Sequence, residues 1–270
     1  MTKLANKIKK ALRGNRPVGA ISFTGKYERW ADAVRDSTGY QSDVILERTR
    51  AALSKVKNGE AVFERDSVLF DKPDYPWPVL AGLLRAAALN GGRLRLVDFG
   101  GSLGSTYFQC RTLLSGLPEL KWLVIEQPAH VACGRREFET DQLRFHETVE
   151  ECLAQGPAEV LLLSGVLQYL PEPYQTLRQL LCHRFHHVIF DRLPFLESDH
   201  DRLTVQTVPE TIYPASYPAW FFSRTLFNVV LRDAGYKLVA EFDGADKVSP
   251  EDERAEFKAF IFELERKATR

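Results

Sequence analysis

The sequence predicts an α/β fold whose centre is an open, mostly parallel sheet. Residues 94–105 read LRLVDFGGSLGS, an apolar strand that ends at an acid, then a glycine-rich turn and the start of a helix. That order is typical of a nucleotide-type cofactor site at the carboxyl edge of such a sheet. Residues 121–126, KWLVIE, form a second apolar strand ending in a carboxylate, and the run VLLL at 160–163 is typical of a strand buried on both faces. Alternation of such strands with helical segments predicts parallel strands joined by helices.

Composition and charge exclude several classes of protein. The chain has 270 residues, with 36 Lys and Arg against 36 Asp and Glu, so the molecule as a whole offers no electrostatic attraction for nucleic acid. Its four cysteines show no metal-ligand spacing, which predicts reduced thiols. No apolar run approaches the about 18 residues that suggest a membrane-spanning helix. We therefore expect a cytoplasmic protein.

Residues 1–90 are predicted to form a helical extension that caps a cofactor domain at residues 91–270. Residues 2–16 carry six Lys and Arg and no acid, and their apolar residues recur every four positions, which predicts a short basic amphipathic helix. Such a helix either makes weak peripheral contact with an anionic membrane or is a solvated terminus. Among the aromatic residues of this block, Tyr75 and Trp77 are the expected members of a pocket.

The glycine turn decides which cofactor fits. Gly100 and Gly101 lack a Cβ, so the backbone can turn tightly and approach a ligand, and the next helix points its first amides at that ligand. The dinucleotide fingerprint GxGxxG fails because Ser102 and Ser105 stand where it needs glycine, and no GxxxxGK[ST] phosphate loop is present. The Asp98 carboxylate suits a ligand that carries positive charge. An ordinary strand-to-helix turn is the alternative.

The pattern formed by Asp98, Gly100 and Gly104 resembles motif I of the class I S-adenosylmethionine-dependent methyltransferases, which have glycine at the position of Ser102. Nearly the whole chain resembles a bacterial methyltransferase family of unassigned substrate, often linked with surface-polysaccharide gene neighbourhoods. The segments that carry this resemblance are FTGKYERW, STGY, VDFGGSLGS, VIEQP, SGVLQYL, FDRLPF and IYPASYPAWFFS. It implies a Rossmann-like class I fold with seven strands and an antiparallel closing hairpin, and S-adenosyl-L-methionine as the cofactor. The cationic ammonium group and cationic sulfur of that cofactor are expected to lie near the Asp98 carboxylate. It supplies no methyl acceptor.

The resemblance and the strand-end positions together give the expected cofactor contacts. Glu126, at the end of the second strand, is expected to bind the ribose diol. The turn after a strand at 143–146 is expected beside the adenine. The turn after 160–163, which resembles motif IV, is expected beside the methionine and methyl end. The expected cofactor-binding residues are Asp98, Gly100, Gly101, Ser102, Gly104, Glu126, Gln127, Thr148, Ser164, Gly165 and Val166.

The other elements follow from apolar periodicity and from the positions of proline and glycine. Pro173 suits the first turn of a helix, and Gly235 suits a helix end. Helices are predicted at residues 129–138, 149–154, 173–181 and 226–234, and strands at residues 187–190, 236–242 and 259–265. The last two strands alternate apolar residues, which predicts the hairpin that closes the sheet.

The segment 193–223 is too long for a simple strand-to-helix connection, so it is predicted as an acceptor-side insertion without regular structure. A packed arm or a dimer contact is the alternative. Its aromatic residues with polar tips suit a small-molecule or sugar-containing acceptor. The expected substrate-binding residues are Gln168, Tyr169, Arg192, Tyr213, Tyr217 and Trp220.

The expected reaction is transfer of the sulfonium methyl group to an oxygen or nitrogen of the acceptor, promoted mainly by positioning and exclusion of water. A hydroxyl acceptor needs a base, and the candidates near the strand ends are His146 and Asp191, with the nearby His186 and His187. No cluster of residues predicts a metal ion. Two other classes stay open. The failed GxGxxG spacing disfavours an NAD(P)-dependent sugar-modifying oxidoreductase. Ser102 favours a non-catalytic Rossmann-like partner module, whereas the intact Asp98 and Glu126 disfavour it.

Overall fold

A computed structural model of the chain describes residues 21–39, 42–65, 67–209, 215–244, 246 and 248–265. The strands in these ranges are β1 (Ser22–Tyr27), β2 (Phe63–Arg65), β3 (Val68–Phe70), β4 (Arg93–Phe99), β5 (Glu119–Ile125), β6 (Leu143–His146), β7 (Val160–Ser164), β8 (His187–Leu196), β9 (Arg202–Val208), β10 (Ala215–Ser223), β11 (Tyr236–Asp243) and β12 (Ala255–Leu264). The helices are α1 (Trp30–Arg35), α2 (Ser42–Lys57), α3 (Trp77–Leu89), α4 (Ser105–Leu114), α5 (Pro128–Glu137), α6 (Val149–Ala154), α7 (Pro173–Leu181) and α8 (Arg224–Asp233), with a 3₁₀ turn at Leu167–Tyr169.

The central strands run parallel in the order β8-β7-β4-β5-β6, and β12 and β11 continue the sheet antiparallel beyond β8. This seven-stranded set with an antiparallel hairpin at one edge confirms the predicted fold class. The register places Asp98 beside both Val124 and Leu162, and Ser164 beside Asp191. Because the strands are parallel, their carboxyl ends meet at one edge of the sheet.

Helices cover both faces of this sheet. On one face, residues of α3, α4 and α5 pack against Leu96 and Trp122; on the other, residues of α6, α7 and α8 pack against Val97 and Leu161. Leu96 and Val97 are neighbours with opposite orientations, and both have no exposed surface. Two buried faces explain the near-continuous apolar runs in the sequence.

Several predicted elements are confirmed at their predicted bounds: β6, α6 and α7. The fifth parallel strand, β8, is longer than predicted. It continues from Phe190 through Asp191 and Arg192 to Leu196. Its first half pairs with β7 and its last two residues, Phe195 and Leu196, pair with β10.

The prediction that residues 193–223 lack regular structure is wrong. This segment completes β8 and then forms β9 and β10, which pair antiparallel with each other. Strand β10 is buried on both faces, so its sequence shows no alternation between apolar and polar residues. Strand β9 does alternate polar and apolar residues from Arg202 to Gln206, and this signal for a strand was missed. We call β1, β9 and β10 the sheet extension.

The N-terminal block contributes helices α1 to α3, as expected, and also strands that the sequence did not predict. Strand β1 pairs antiparallel with β9 and so belongs to the sheet extension, while β2 and β3 form a separate hairpin. None of the helices in the described ranges combines the length and the apolar character required to cross a bilayer. The basic segment 2–16 lies outside the described residues.

Candidate functional site

The glycine turn joins β4 to α4 and packs directly on the turn that follows β7. Gly100, Ser102 and Gly104 have positive φ angles of 72°, 54° and 89°, the left-handed region that a tight turn requires. A Cβ placed on Gly100 would lie 2.3 Å from Cγ2 of Val166, so no side chain fits between the two turns. The predicted residues 100–104 and 164–166 are therefore brought together.

Asp98 lies underneath the glycine turn and not on its outer surface. The residue is 1% exposed, and the indole N–H of Trp122 donates a hydrogen bond of 2.8 Å to its Oδ2. A Cβ on Gly101 would lie 2.5 Å from the same oxygen, so the turn covers the carboxyl group. Burial raises the pKa of Asp98 to about 7; the charge of Glu126 adds to the increase, and the Trp122 hydrogen bond opposes it.

Glu126 ties the end of β5 to the glycine turn. Its carboxylate accepts hydrogen bonds from the backbone N–H of Ser102, at 3.2 Å, and from that of Gln127, at 2.8 Å. The side chain is half-buried, whereas Gln127 is exposed. The carboxylate thus lies at the edge where β4 and β5 end, as predicted for a residue that meets a ribose.

Ser164 and Asp191 form a second polar pair, where β7 lies beside β8. The Ser164 hydroxyl donates a 3.1 Å hydrogen bond to Oδ2 of Asp191, and burial raises the pKa of that carboxyl group. The next residue, Arg192, has a φ of 57°, and its Nε donates to Oδ2 of Asp246 at 3.4 Å. A Cβ on Gly165 would lie 3.6 Å from the Arg192 guanidinium, so this arginine lies against the turn after β7.

Gln168 is buried with one hydrogen-bonding atom unsatisfied. Its Nε2 donates to the backbone oxygen of Arg192 at 3.3 Å, and the residue is 4% exposed. Its Oε1 has no hydrogen-bond partner among the described residues. A buried acceptor without a hydrogen bond lowers the stability of the folded state. This oxygen is therefore suited to accept a hydrogen bond from a ligand or a water molecule.

Gln206 links the 3₁₀ turn to the sheet extension, although it was not among the expected site residues. The Tyr169 hydroxyl donates to Oε1 of Gln206 at 2.8 Å, and Nε2 of Gln206 donates to the Tyr217 hydroxyl at 3.3 Å. The two tyrosine rings also meet edge to face, with centroids 5.4 Å apart. Gln206 lies directly opposite Tyr217 on one neighbouring strand and Phe23 on the other. This position can be recognised only after the strand pairing is known.

Two expected residues, His146 and Thr148, come close to Glu126 along β6 and the turn after it, but their side chains do not join the polar groups described above. His146 follows Phe145, which packs on the α3–α5 side, so alternation points His146 to the opposite face from Asp98. There it is buried, its Nδ1 lies 3.8 Å from Glu151, and burial is the main cause that lowers its pKa. Thr148 caps α6 by accepting a 3.2 Å hydrogen bond from the Glu151 N–H, so its hydroxyl is engaged in the helix.

The remaining predicted acceptor contacts have other positions. Trp220 alternates with Tyr217 along β10 and so lies on the other face of the extension, where its ring stacks on Trp30 at 6.4 Å. Its indole N–H donates to the backbone oxygen of Leu170 at 3.1 Å. Tyr213 lies outside the described residues. Trp77, which was expected to be a pocket member of the N-terminal block, is 63% exposed.

Glu64 is a site candidate that sequence reasoning missed. It belongs to the β2–β3 hairpin, is 2% exposed, and accepts hydrogen bonds from the Ser105 hydroxyl and from the Ser67 N–H, the latter at 3.0 Å. Ser105 is the first residue of α4, directly after the glycine turn. Strands of three residues carry no readable periodicity, so the sequence gives no signal for this contact.

Two cavities lie away from the glycine turn. One of about 750 Å³ lies between α1, α7 and β10 beside Trp30, Tyr174 and Trp220, and one of about 400 Å³ lies between α2 and α5. Neither is lined by a residue expected to bind the cofactor. Among the residues that the structure describes, no group of three or more His, Cys, Asp or Glu is placed to hold a metal ion.

No protein-family model and no curated protein matches this chain. Solved structures show a distant similarity. LepI C52A in complex with SAH and a substrate analogue is 12% identical over 64% of this chain, with a TM-score of 0.44, and this chain spans 43% of its length. The N-terminal domain of EvdMO1 with bound SAH is 15% identical, with 68% of this chain and 81% of that one covered and a TM-score of 0.45. Magnesium protoporphyrin IX methyltransferase (ChlM) from Synechocystis PCC 6803 with bound SAM is 13% identical, with 95% and 91% covered and a TM-score of 0.45. At these values the similarity carries no argument about function.

Proposed function

We propose that this protein is an S-adenosylmethionine-dependent methyltransferase that acts on an oxygen or nitrogen of a small-molecule or sugar-containing acceptor. The observation that supports this most is the contact between the glycine turn and the turn after β7, with Glu126 at the next strand end. Three strand ends thereby converge at one edge of an open sheet, where such folds bind nucleotide-type ligands.

The residues at this edge fit the cofactor. Gly100 allows close backbone approach, and the first amides of α4 suit a carboxylate. The two carboxylate oxygens of Glu126 now accept hydrogen bonds from backbone N–H groups. In this proposal they accept hydrogen bonds from the two ribose hydroxyl groups instead. In this proposal Gln127 and Thr148 flank the adenine, while Ser164, Gly165 and Val166 flank the methionine and methyl end.

Asp191 is the base in this proposal. Bound S-adenosylmethionine supplies an electrophilic methyl group. Asp191 lies on the same face of the sheet as Asp98, its pKa is raised by burial, and Ser164 orients its carboxyl group. Its carboxylate would take the proton of an acceptor hydroxyl as the acceptor oxygen bonds to the methyl carbon and the carbon–sulfur bond breaks. His146, on the other face, is less well placed for this role.

Gln168 and the sheet extension form the acceptor side of the proposed site. The free Oε1 of Gln168 suits a hydroxyl or N–H donor of the acceptor. Tyr169, Gln206 and Tyr217 hold the extension against the 3₁₀ turn, which fixes the wall that an acceptor would meet. Buried, mutually bonded side chains make such a wall rigid, and rigidity favours positioning.

A calorimetric titration with S-adenosylhomocysteine, NAD and NADP tests the proposal. Of these three ligands, we expect the parent protein to bind only S-adenosylhomocysteine. Gly100→Ala should weaken that binding at least about tenfold, because its Cβ would push Val166 away and its positive φ disfavours alanine. The matched control is Gly116→Ala, where a Cβ meets nothing within 4 Å.

The titration also separates the other classes of protein. Binding of NAD or NADP with no binding of S-adenosylhomocysteine would indicate an oxidoreductase and reject the proposal. Binding of S-adenosylhomocysteine with no methyl transfer across a panel of hydroxyl and amine acceptors would indicate a non-catalytic module.

A further inference from the structure

The position of Asp98 does not allow it to contact the positively charged ammonium group of the proposed cofactor. The methionine end of S-adenosylmethionine carries an ammonium group, and Asp98 was expected to meet it. In the structure the Asp98 carboxyl is covered by Gly101 and holds the Trp122 indole, so it faces the inside of the turn. A carboxylate on the outer side of the turn is needed for direct contact with the ammonium group.

Glu64 is a second carboxylate at this turn, and it reaches the start of α4 from the β2–β3 hairpin and not from beneath Gly101. Its bond to the Ser105 hydroxyl places it at the first residue of α4, one position after Gly104 of the glycine turn. Glu126 lies at the other end of the same turn, bonded to the Ser102 N–H. The turn therefore lies between two carboxylates, one on the side of the β5 end and one on the side of the α4 start.

The hairpin that carries Glu64 is firmly anchored. Phe63 is 2% exposed and stacks on Phe70, with ring centroids 4.5 Å apart. The hydroxyl groups of Thr49 and Ser67 lie 3.0 Å apart, which ties the hairpin to α2. A charged group held by packing and hydrogen bonds is pre-organised to bind a ligand.

We propose that Glu64 binds the ammonium group of the cofactor, so that the β2–β3 hairpin is part of the cofactor site. This inference rests on the proposed methyltransferase function. The methionine end is a zwitterion: its ammonium group donates to the Glu64 carboxylate, and its carboxylate lies at the first amides of α4. Glu64 thereby selects a cofactor with an amino-acid tail over one that ends at the thioether.

The test compares three ligands by calorimetry near neutral pH. They are S-adenosylhomocysteine, its deaminated analogue, which lacks only the ammonium group, and 5′-methylthioadenosine, which lacks the whole amino-acid tail. We expect Glu64→Gln to weaken S-adenosylhomocysteine binding at least about tenfold and to leave the other two affinities within about twofold. Glu60→Gln is the matched control, an exposed glutamate just before the hairpin.

Two results would overturn the inference while leaving the methyltransferase proposal intact. One is an unchanged affinity of Glu64→Gln for S-adenosylhomocysteine. The other is an equal loss for all three ligands, which would show that Glu64 only holds the hairpin on α4. The affinities of the parent protein provide a test that does not need the variant to fold. If the parent binds S-adenosylhomocysteine and its deaminated analogue equally well, the inference is rejected. A parent that binds none of the three ligands rejects both proposals.

Discussion

Asp98 keeps a carboxyl group where water does not reach it, and this has a consequence for stability. Its pKa in the folded protein is about 7, against an ordinary value of 3.8. The folded state therefore holds the proton more tightly than the unfolded chain does. The associated stability is fully present below the unfolded pKa and is lost as the pH rises through about 7; three pKa units correspond to an upper value of about 4 kcal/mol.

The first prediction concerns this carboxyl group. Asp98→Asn keeps an oxygen that can accept from Trp122 and removes the ionisation. Relative to the parent, the variant should gain free energy of unfolding between about pH 4 and about pH 8, by up to a few kcal/mol. Urea unfolding at both pH values measures the change, with Asp141→Asn, a fully exposed aspartate, as control. A difference that does not depend on pH would show that Asp98 does not titrate in this interval.

At the scale of elements, Arg202 holds the sheet extension together. Its side chain is 7% exposed and donates to the backbone oxygen of Gly25 in β1 at 3.0 and 3.2 Å. It also bonds to Asp252 at 2.6 Å and to Glu253 at 3.3 Å. One guanidinium group thus joins β1, β9 and the segment before β12.

The second prediction is that Arg202→Met destabilises the protein by about 2 kcal/mol. Methionine keeps the apolar stem of the side chain but leaves the Gly25 oxygen and Glu253 without this donor. Arg232→Met is the control, because Arg232 is 73% exposed and surface ion pairs are worth roughly 0–1 kcal/mol. Chemical denaturation compares the two variants. Equal effects would mean that Arg202 does not hold the extension.

The elements that were predicted well from the sequence share one property: their apolar periodicity and their bounding residues are contained within a short stretch of the chain. Strand β6 and helices α6 and α7 are bounded by turn residues and show their periodicity within a few residues. The sheet extension was missed for three reasons: β10 shows no alternation because it is buried on both faces, β9 alternates polar and apolar residues over only five positions, and β1 comes from the opposite end of the chain.

The same distinction applies to the candidate site. Glu126, which follows β5, and Asp191, the last residue of β8 to pair with β7, could be placed from the sequence because parallel topology brings such positions to one edge of the sheet. Glu64 and Gln206 could not, since their positions depend on pairings with distant segments. The misplacement of His146 arose because strand-end position alone does not say which face of the sheet a side chain occupies.

At the scale of the whole molecule, the proposed site joins parts of the chain that are far apart in sequence. The β2–β3 hairpin contacts α4 through Glu64, and the extension contacts the 3₁₀ turn through Gln206. A ligand at the glycine turn would therefore couple the N-terminal block, the parallel strands and the extension. The β11–β12 hairpin lies at the far edge of the sheet, beyond β8.

The third prediction uses this arrangement. Saturating S-adenosylhomocysteine should slow amide hydrogen exchange at residues 63–70, 100–105 and 164–169, because bound ligand stabilises the closed state of the segments it joins. Residues 236–243, in β11, serve as the internal control and should exchange as before. Mass spectrometry of peptides from these ranges gives the comparison. Protection confined to residues 100–105 would exclude the hairpin from the site.

Strand β8 joins the central strands to the sheet extension, since His187–Asp191 lie beside β7 while Phe195 and Leu196 lie beside β10. The number of residues between Asp191 and Phe195 is therefore fixed by the two pairings, whatever the identity of those residues. Loss or gain of one residue there would turn every later side chain of β8 to the opposite face. Residues 197–200 are mostly exposed and can absorb such changes. In evolution, insertions and deletions are therefore expected after Leu196, in the exposed residues, and not between Asp191 and Phe195.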